Sequence, residues 1–468
     1  MIKRSGEKVS DGIVLRGIKK VRKLLSQSAN AGALSERQAT HIREQLKDCA
    51  AALGGEVSAR QRAARLAETY LGLGDEARAD FLRIVAIEFG PNPAAVDKAQ
   101  ASYQAAIGTE ARWASEAELR KCLRSARVRI LTQFNAIPQG VKFLVDLRAD
   151  LLRYLEHDPA LRLLDGELES LLSEWFDEGF LELQRISWNS PAALLEKLIE
   201  YEAVHEIRSW DDLKNRLDSD RRCYAFFHPR MPMEPLIFVE VALVEELADN
   251  VQVLLDERAP VFDAQRAKTA IFYSISNTQL GLRGVSFGNF LLKRVVDDLK
   301  RDFPRLTSFA TLSPLPTLRR WAEKNPEVWA LVFTAEAVER VARHAGSVTV
   351  GAAEDIRDLL TNDDWIGNAR LVRALQPGLM RLAAYYFLHA KTGNRPYDPV
   401  SRFHLGNGAR IERINYLADI SLNGLKQSYG LMVNYLYDTE AIETNLEAFL
   451  REGVLAASGS VRRLAKVV

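Results

Sequence analysis

The sequence predicts an α+β multidomain protein, with an all-α domain over residues 1–190 and an α/β domain over residues 191–468. Three observations carry this. Apolar residues recur at helical spacing from about Val9 to Ser219 with almost no strand-like alternation, β-branched and aromatic runs begin near Arg221, and from there strand and helix character alternate. A chain of 468 residues is also long for one domain, and two or three are the natural expectation.

In the first part, the stripes Val14, Ile18, Val21 and Leu25, then Leu144, Leu147, Leu151, Leu152 and Leu155, then Leu194, Leu195, Leu198 and Ile199 each fit one face of a helix. Ser35-Glu36-Arg37-Gln38 and Ser115-Glu116-Ala117-Glu118 have the form of a capping box, in which the serine and the residue three positions on satisfy each other's free amides. Ser190-Pro191 places a cap before a proline at the first helical position. A helical array with no catalytic-looking cluster reads as a packing or assembly module, its stripes buried in its own core or against another copy of the chain.

In the second part, Cys223 to Phe227, Leu236 to Val244, Ala270 to Ser276, Ser308 to Leu312 and Gly430 to Tyr437 read as strands. Helices are expected over Asn250 to Glu257, Asn289 to Phe303, about Ala353 to Lys391 and Ala441 to Leu450. No internal repeat or low-complexity segment interrupts this order.

The most informative segment is Phe272 to Arg305, where an apolar strand runs into a glycine-spaced turn that opens directly onto an amphipathic helix. Gly284 and Gly288 let the backbone approach a ligand, and the free N–H groups of a helix starting near Gly288 or Asn289 would face a phosphate. A plain strand–turn–helix connection accounts for the glycines equally well. No Gly-Lys-Ser/Thr closes the turn, and the dinucleotide spacing G-x-G-x-x-G is absent. The segment resembles the pyrophosphate loop of GNAT-type acetyltransferases, Arg/Gln-x-x-Gly-x-Gly/Ala, read here as Arg283-Gly284-Val285-Ser286-Phe287-Gly288 with Ser286 at the middle glycine.

Three further segments sharpen the resemblance. They are His228-Pro229-Arg230-Met231-Pro232-Met233-Glu234-Pro235-Leu236, Phe309-Ala310-Thr311-Leu312-Ser313-Pro314-Leu315-Pro316, and Asp398 to Ala409 followed by Arg413 to Asp419. With the glycine turn, these motifs resemble the malonyl-CoA decarboxylase family over roughly the second half of the chain, and the helical first half fits the family's architecture.

The resemblance implies a GNAT-like α/β catalytic domain behind a helical oligomerisation domain. It implies an enzyme, a carbon–carbon lyase that decarboxylates malonyl-CoA to acetyl-CoA and carbon dioxide. The family's catalytic histidine stands in Phe-His-Leu-x-Asn-Gly-Ala, matched by Phe403-His404-Leu405-Gly406-Asn407-Gly408-Ala409, and its catalytic serine in Leu-Ser-Pro-x-Pro, matched by Leu312-Ser313-Pro314-Leu315-Pro316. The malonyl-CoA binding stretch maps onto Arg283, Gly284, Val285, Ser286, Phe287, Gly288 and Asn289.

By residue type alone, His404 is a loop or core histidine and Ser313 a helix cap ahead of Thr317. A thioester can hold the electrons of the departing carboxylate as an enolate, so no metal, biotin or other cofactor is required. Coenzyme A enters as part of the substrate. The protein must supply donors at the enolate oxygen and an acid for carbon. The rivals are a GNAT-type acyltransferase and a non-catalytic acyl-CoA-binding regulator. A homo-oligomer is expected, with the resemblance favouring a tetramer. Asn415, Tyr416, Asn434 and Tyr435 fit either the lining of an acyl pocket or buried hydrogen-bonded core, the commoner of the two, and His228 fits either a place behind the site or a structural role, the commoner of the two.

Composition excludes other classes. Lys plus Arg number 63 against 62 Asp plus Glu, so there is no electrostatic footprint for nucleic acid or an anionic membrane. No apolar run approaches the ~18 residues that span a bilayer. Cys49, Cys122 and Cys223 are widely spaced, which argues against a zinc site or a disulfide framework. With no signal-peptide pattern at the start and no peroxisomal address at the end, a cytoplasmic location is expected.

Overall fold

The structure is a computed structural model that describes residues 32–51, 56–285, 290–346 and 348–466. The chain divides into two compact units. One runs to Leu181 and takes in His228–Pro232 and Gln279–Phe287; the other holds Glu182–Phe227, Met233–Thr278 and Gly288–Val468.

The described part of the first unit is helical, as expected, with α-helices at Glu36–Ala51, Glu56–Leu71, Asp75–Glu88, Pro93–Ala105, Arg112–Leu123, Ala126–Asn135, Gly140–Tyr154 and Arg162–Trp175. The predicted stripe at Leu144, Leu147 and Leu151 is buried, together with Ile42, Leu46, Phe81 and Leu168. Ser35 and Gln38 form the expected box: Gln38 accepts from the Ser35 amide and the Ser35 hydroxyl from the Gln38 amide. The second box does not exist, because Ser115 sits inside the Arg112–Leu123 helix. The stripe at Val14 to Leu25 lies outside the described residues.

One buried cation organises the segment that the first unit borrows from further along the chain. Arg148, 1% exposed, donates to Asp165 (2.9 Å) and Glu169 (2.9 Å) and to the carbonyls of Gly281 (3.0 Å) and Arg283 (2.7 Å). Gly281 packs so closely on the Gly140–Tyr154 helix that a Cβ there would meet the Val145 carbonyl oxygen at 1.8 Å. Gly284 has φ +88°, the left-handed region that glycine enters at little cost. The two glycines therefore have structural reasons of their own.

The second unit is built on one sheet. Its strands are β1 (Glu182–Ile186), β2 (Arg221–Phe227), β3 (Ile237–Val244), β4 (Thr269–Asn277), β5 (Ser308–Thr311), β6 (Ser313–Pro314), β9 (Arg410–Asn415) and β10 (Met432–Leu436). Strands β7 (Lys391–Thr392) and β8 (Arg395–Pro396) pair separately. The sheet order is β1-β2-β3-β4-β5-β10-β6, with β9 also on β10. β1 to β4 form an antiparallel meander, and β5 joins β4 in parallel with Phe272 opposite Thr311. A parallel pair needs a crossover, and the connection contains the Phe290–Asp302 helix.

The α+β class is thus observed, while β1, β9 and the two-residue strands β6, β7 and β8 escaped the reading. β1 lies within the stretch expected to be helical, and β9 within an irregular one. Leu194, Leu195 and Leu198 do lie on a helix, Ala192–Tyr201, but it packs on the sheet beside Cys223, Ala225 and Phe238. Pro191 occupies the cap position there, and the Ser190 hydroxyl instead accepts from the Ser187 amide.

Candidate active site

Ser313 is not a helix cap. It follows β5 one residue beyond Leu312, pairs with Val433 of β10, and precedes by several residues a helix, Leu318–Lys324, whose cap position is Thr317. In β5 and its continuation, side chains alternate, so Thr311 and Ser313 face one side of the sheet and Ala310 and Leu312 the other.

His404 is not on a loop. It occupies the last turn of the Pro399–Leu405 helix, which starts with Asp398 accepting from the Ser401 amide (2.8 Å) and Pro399 at its first position. The Gly-Asn-Gly turn that follows ends the helix: Gly408 adopts φ +77°, and the Ala409 amide returns to the His404 carbonyl (3.1 Å). A side chain at Gly408 would strike the Ile442 carbonyl oxygen at 2.4 Å, so the motif glycine is fixed sterically as well.

The fold brings these two residues together across 91 positions of sequence: His404 Nε2 lies 3.2 Å from Ser313 Oγ. Its Nδ1 lies 2.7 Å from the Tyr437 hydroxyl. The imidazole stacks on Tyr435, ring centroids 4.5 Å apart. His404 is 2% exposed and Ser313 6%. Burial alone pulls the His404 pKa down to about 3, so the imidazole is neutral across the physiological range. Burial also raises Tyr437 well above the ordinary phenol value, so it stays protonated.

These contacts fix where the protons sit. Ser313 Oγ donates to Thr311 Oγ1 (2.8 Å), which also accepts from the Tyr435 amide (3.2 Å). With its only proton directed there, Ser313 can only accept from His404. The imidazole then carries its proton on Nε2, and Nδ1 accepts from the Tyr437 O–H. A serine so arranged is not deprotonated by the histidine, as an acyl-transfer nucleophile would be. What the site offers is a buried imidazole N–H, seated on Ser313 and backed by the Tyr437 O–H, beside a β-strand.

Sequence reasoning missed Tyr437 and Thr311. Tyr437 sat at the end of an expected strand and Thr311 within the serine motif, but nothing local marks either as a partner of a residue far away in the chain. Of the residues read as core, Asn415, Asn434 and His228 are buried, Tyr416 is half-buried, and Tyr435 is buried against His404. Asn434 donates to the Thr311 carbonyl (2.8 Å) and accepts from Asn415 (2.8 Å), and the Tyr416 hydroxyl donates to the Val372 carbonyl (2.8 Å). His228, in the first unit, contacts the Trp175 carbonyl (3.0 Å) and accepts from the Arg230 amide (3.2 Å).

Of the expected substrate-binding stretch, Arg283 is exposed, Gly284 forms the left-handed turn and Val285 is buried, their backbone anchored by Arg148. Ser286, Phe287, Gly288 and Asn289 lie outside the described residues. Among the described residues, no three His, Cys, Asp or Glu side chains gather as a metal site, and no helix is long and apolar enough to cross a membrane.

Comparison with known proteins agrees across both units. Residues 89–176 match the model of the malonyl-CoA decarboxylase N-terminal domain and residues 179–467 that of the C-terminal domain. The mitochondrial malonyl-CoA decarboxylase of Mus musculus is 38% identical over 417 residues, covering 84% of this chain and 83% of the relative. That of Anser anser anser is 35% identical over 457 residues, covering 92% and 90%. The crystal structure of malonyl-CoA decarboxylase from Rhodopseudomonas palustris is similar at 41% identity and a TM-score of 0.82, over 91% of this chain and 99% of that one. The expected cytoplasmic location is corrected by these relatives, since the mouse and goose proteins are named as mitochondrial. Cys49, Cys122 and Cys223 are free, which does not single out one compartment.

Proposed function

This chain belongs to the malonyl-CoA decarboxylase family, and from that premise we propose that it decarboxylates malonyl-CoA to acetyl-CoA and carbon dioxide, with His404 as the proton donor to carbon and Ser313 assisting. The observation that carries the assignment is the buried 3.2 Å contact between two side chains supplied by separate sequence motifs.

The bond between the α-carbon and the carboxylate breaks, carbon dioxide leaves, and the electron pair moves into the thioester as an enolate. The enolate carbon is a far stronger base than imidazolate, so a neutral imidazole suffices as its acid. His404 Nε2 gives up its proton to carbon while Nδ1 takes one from Tyr437, and water restores the tyrosine. The net reaction consumes one proton from solvent. Ser313, held by Thr311 and His404, keeps the imidazole N–H oriented as charge moves. The dry surroundings of His404 strengthen each of these contacts.

The thioester is its own electron sink, so the reaction needs no metal or organic cofactor. The backbone of residues 283–289 is assigned to the coenzyme A pyrophosphate on the motif alone. The helical unit exposes Trp113 (72%), Leu163 (64%) and Ile87 (56%), which supports its reading as an assembly surface between copies of the chain.

The test is turnover of carboxyl-labelled malonyl-CoA with trapped carbon dioxide, no acceptor present, in EDTA. Label released at an undiminished rate supports the reading. Binding of acyl-CoA without release would favour a regulator, and dependence on an added amine would favour an acyltransferase.

A further inference from the structure

The second unit contains a cavity of about 710 Å3 that the proposed chemistry does not use. It is lined by the loop after the Ala192–Tyr201 helix, by Gln252 and Glu257, and by residues 419–423. Its size is that of a ligand pocket. It also lies across the sheet from His404: Ala310 and Leu312 pack with Val251, Leu254 and Ala418 beside the cavity, whereas Thr311 and Ser313 point the other way.

The charge of the wall selects its occupant. Arg216 is closed off by Asp212 (2.8 Å) and Glu240 (3.0 Å). Glu202 accepts from the Ser274 hydroxyl (2.8 Å) and from the amides of Val204 and His205 (2.9 and 2.7 Å). Glu206, Glu257 and Asp419 add negative charge against one further cation, Arg208. The cavity therefore repels a substrate carboxylate.

An independent feature points the same way. His205, 8% exposed, lines the cavity, and its Nε2 has no hydrogen-bond partner. A hydrogen bond to the Tyr273 backbone leaves that nitrogen as a bare acceptor in need of a donor. Asp419, beside it, accepts from Gln252 (2.9 Å) and the Ser421 amide (3.0 Å) at one oxygen.

We propose that this cavity binds a small organic cation with a primary ammonium group, which donates to His205 Nε2 and pairs with the Asp419 carboxylate while Glu206 and Glu257 hold a second positive end at the mouth. The site is separate from the malonyl-CoA site, so both ligands bind together.

The probe is 1,4-diaminobutane, titrated calorimetrically into the full-length protein, with 1,4-butanediol and ionic-strength-matched sodium chloride as controls. Saturable binding is expected for the diamine alone, unchanged by saturating acetyl-CoA. Asp419→Asn should weaken it about tenfold or more, as for a charge pair out of bulk water. Glu257→Gln, at an exposed position where folding is not at stake, should weaken it by a smaller factor. Absence of saturable binding, equal affinity of Glu257→Gln and wild type, or displacement by acetyl-CoA would each overturn the proposal.

Discussion

Replacing Tyr437 with phenylalanine removes one oxygen from the middle of the proposed proton path and leaves its shape intact. The ring is 5% exposed and keeps its contacts with Phe272 (centroids 6.4 Å apart) and His404 (6.1 Å). What disappears is the 2.7 Å hydrogen bond to His404 Nδ1. A buried acceptor left without its donor costs about 1–3 kcal/mol, so the variant should fold with a modestly lower stability. The kinetic effect should be larger. Without the tyrosine O–H, the imidazole is free to carry its proton on Nδ1, which turns Nε2 into an acceptor toward Ser313 and deprives the enolate of its acid. A positioned general acid is worth about 100-fold to 10,000-fold in rate, so kcat should fall by about 100-fold while KM stays within a few-fold. The assay is steady-state carbon dioxide release from pH 5 to 8, with urea unfolding on the same preparation. A folded Tyr437→Phe variant with kcat within about threefold of wild type would refute the relay.

Because His404 is already neutral in the free enzyme, kcat/KM should show no histidine ionisation near pH 6.5 and should fall only as pH approaches about 3; an inflection near 6.5 that vanishes in His404→Gln would contradict this. The same depressed pKa makes stability fall with pH: its contribution is fully present above the unfolded value near 6.5 and is lost as pH drops toward about 3, with a slope of at most about 1.4 kcal/mol per pH unit that His404→Gln should remove in urea titrations. Arg148→Met leaves two carboxylates and two carbonyls without their shared donor, so it should destabilise the helical unit by about 3–5 kcal/mol and raise KM for malonyl-CoA more than it lowers kcat; unchanged melting and KM would rule out the anchoring role. Trp113→Glu with Leu163→Arg should lower the mass found by light scattering, and an unchanged mass would rule out those faces as contacts.

The class of fold was readable because its signals are periodic and local. Leu144, Leu147 and Leu151 line up at helical spacing, and the apolar runs of β2 to β5 are buried on both faces, so each announces itself. β1 does not: Glu-Leu-Gln-Arg-Ile is a short edge strand with three polar residues in five, given its identity by pairing with β2. Ser115 fails as a cap for a related reason, since its helix already begins at Arg112 and the box pattern recurs by chance within helices. The pairing of Ser313 with His404 was legible only through motif resemblance. A lone histidine and a Ser-Pro dipeptide carry no local evidence of each other, and their meeting depends on the pairing of Ser313 with β10 and the helix stop at Gly408. Tyr437 and Thr311 needed the fold itself.

The central claim is that His404 protonates the α-carbon. It is tested most directly by single-turnover decarboxylation of malonyl-CoA in heavy water by wild type, His404→Asn, Ser313→Ala and the double variant. The account predicts that the acetyl methyl group gains one deuterium and that each single variant loses at least about 100-fold in rate. The double variant should lose less than the product of the two, as residues acting in one unit do. Near-normal turnover by a folded His404→Asn enzyme would contradict it.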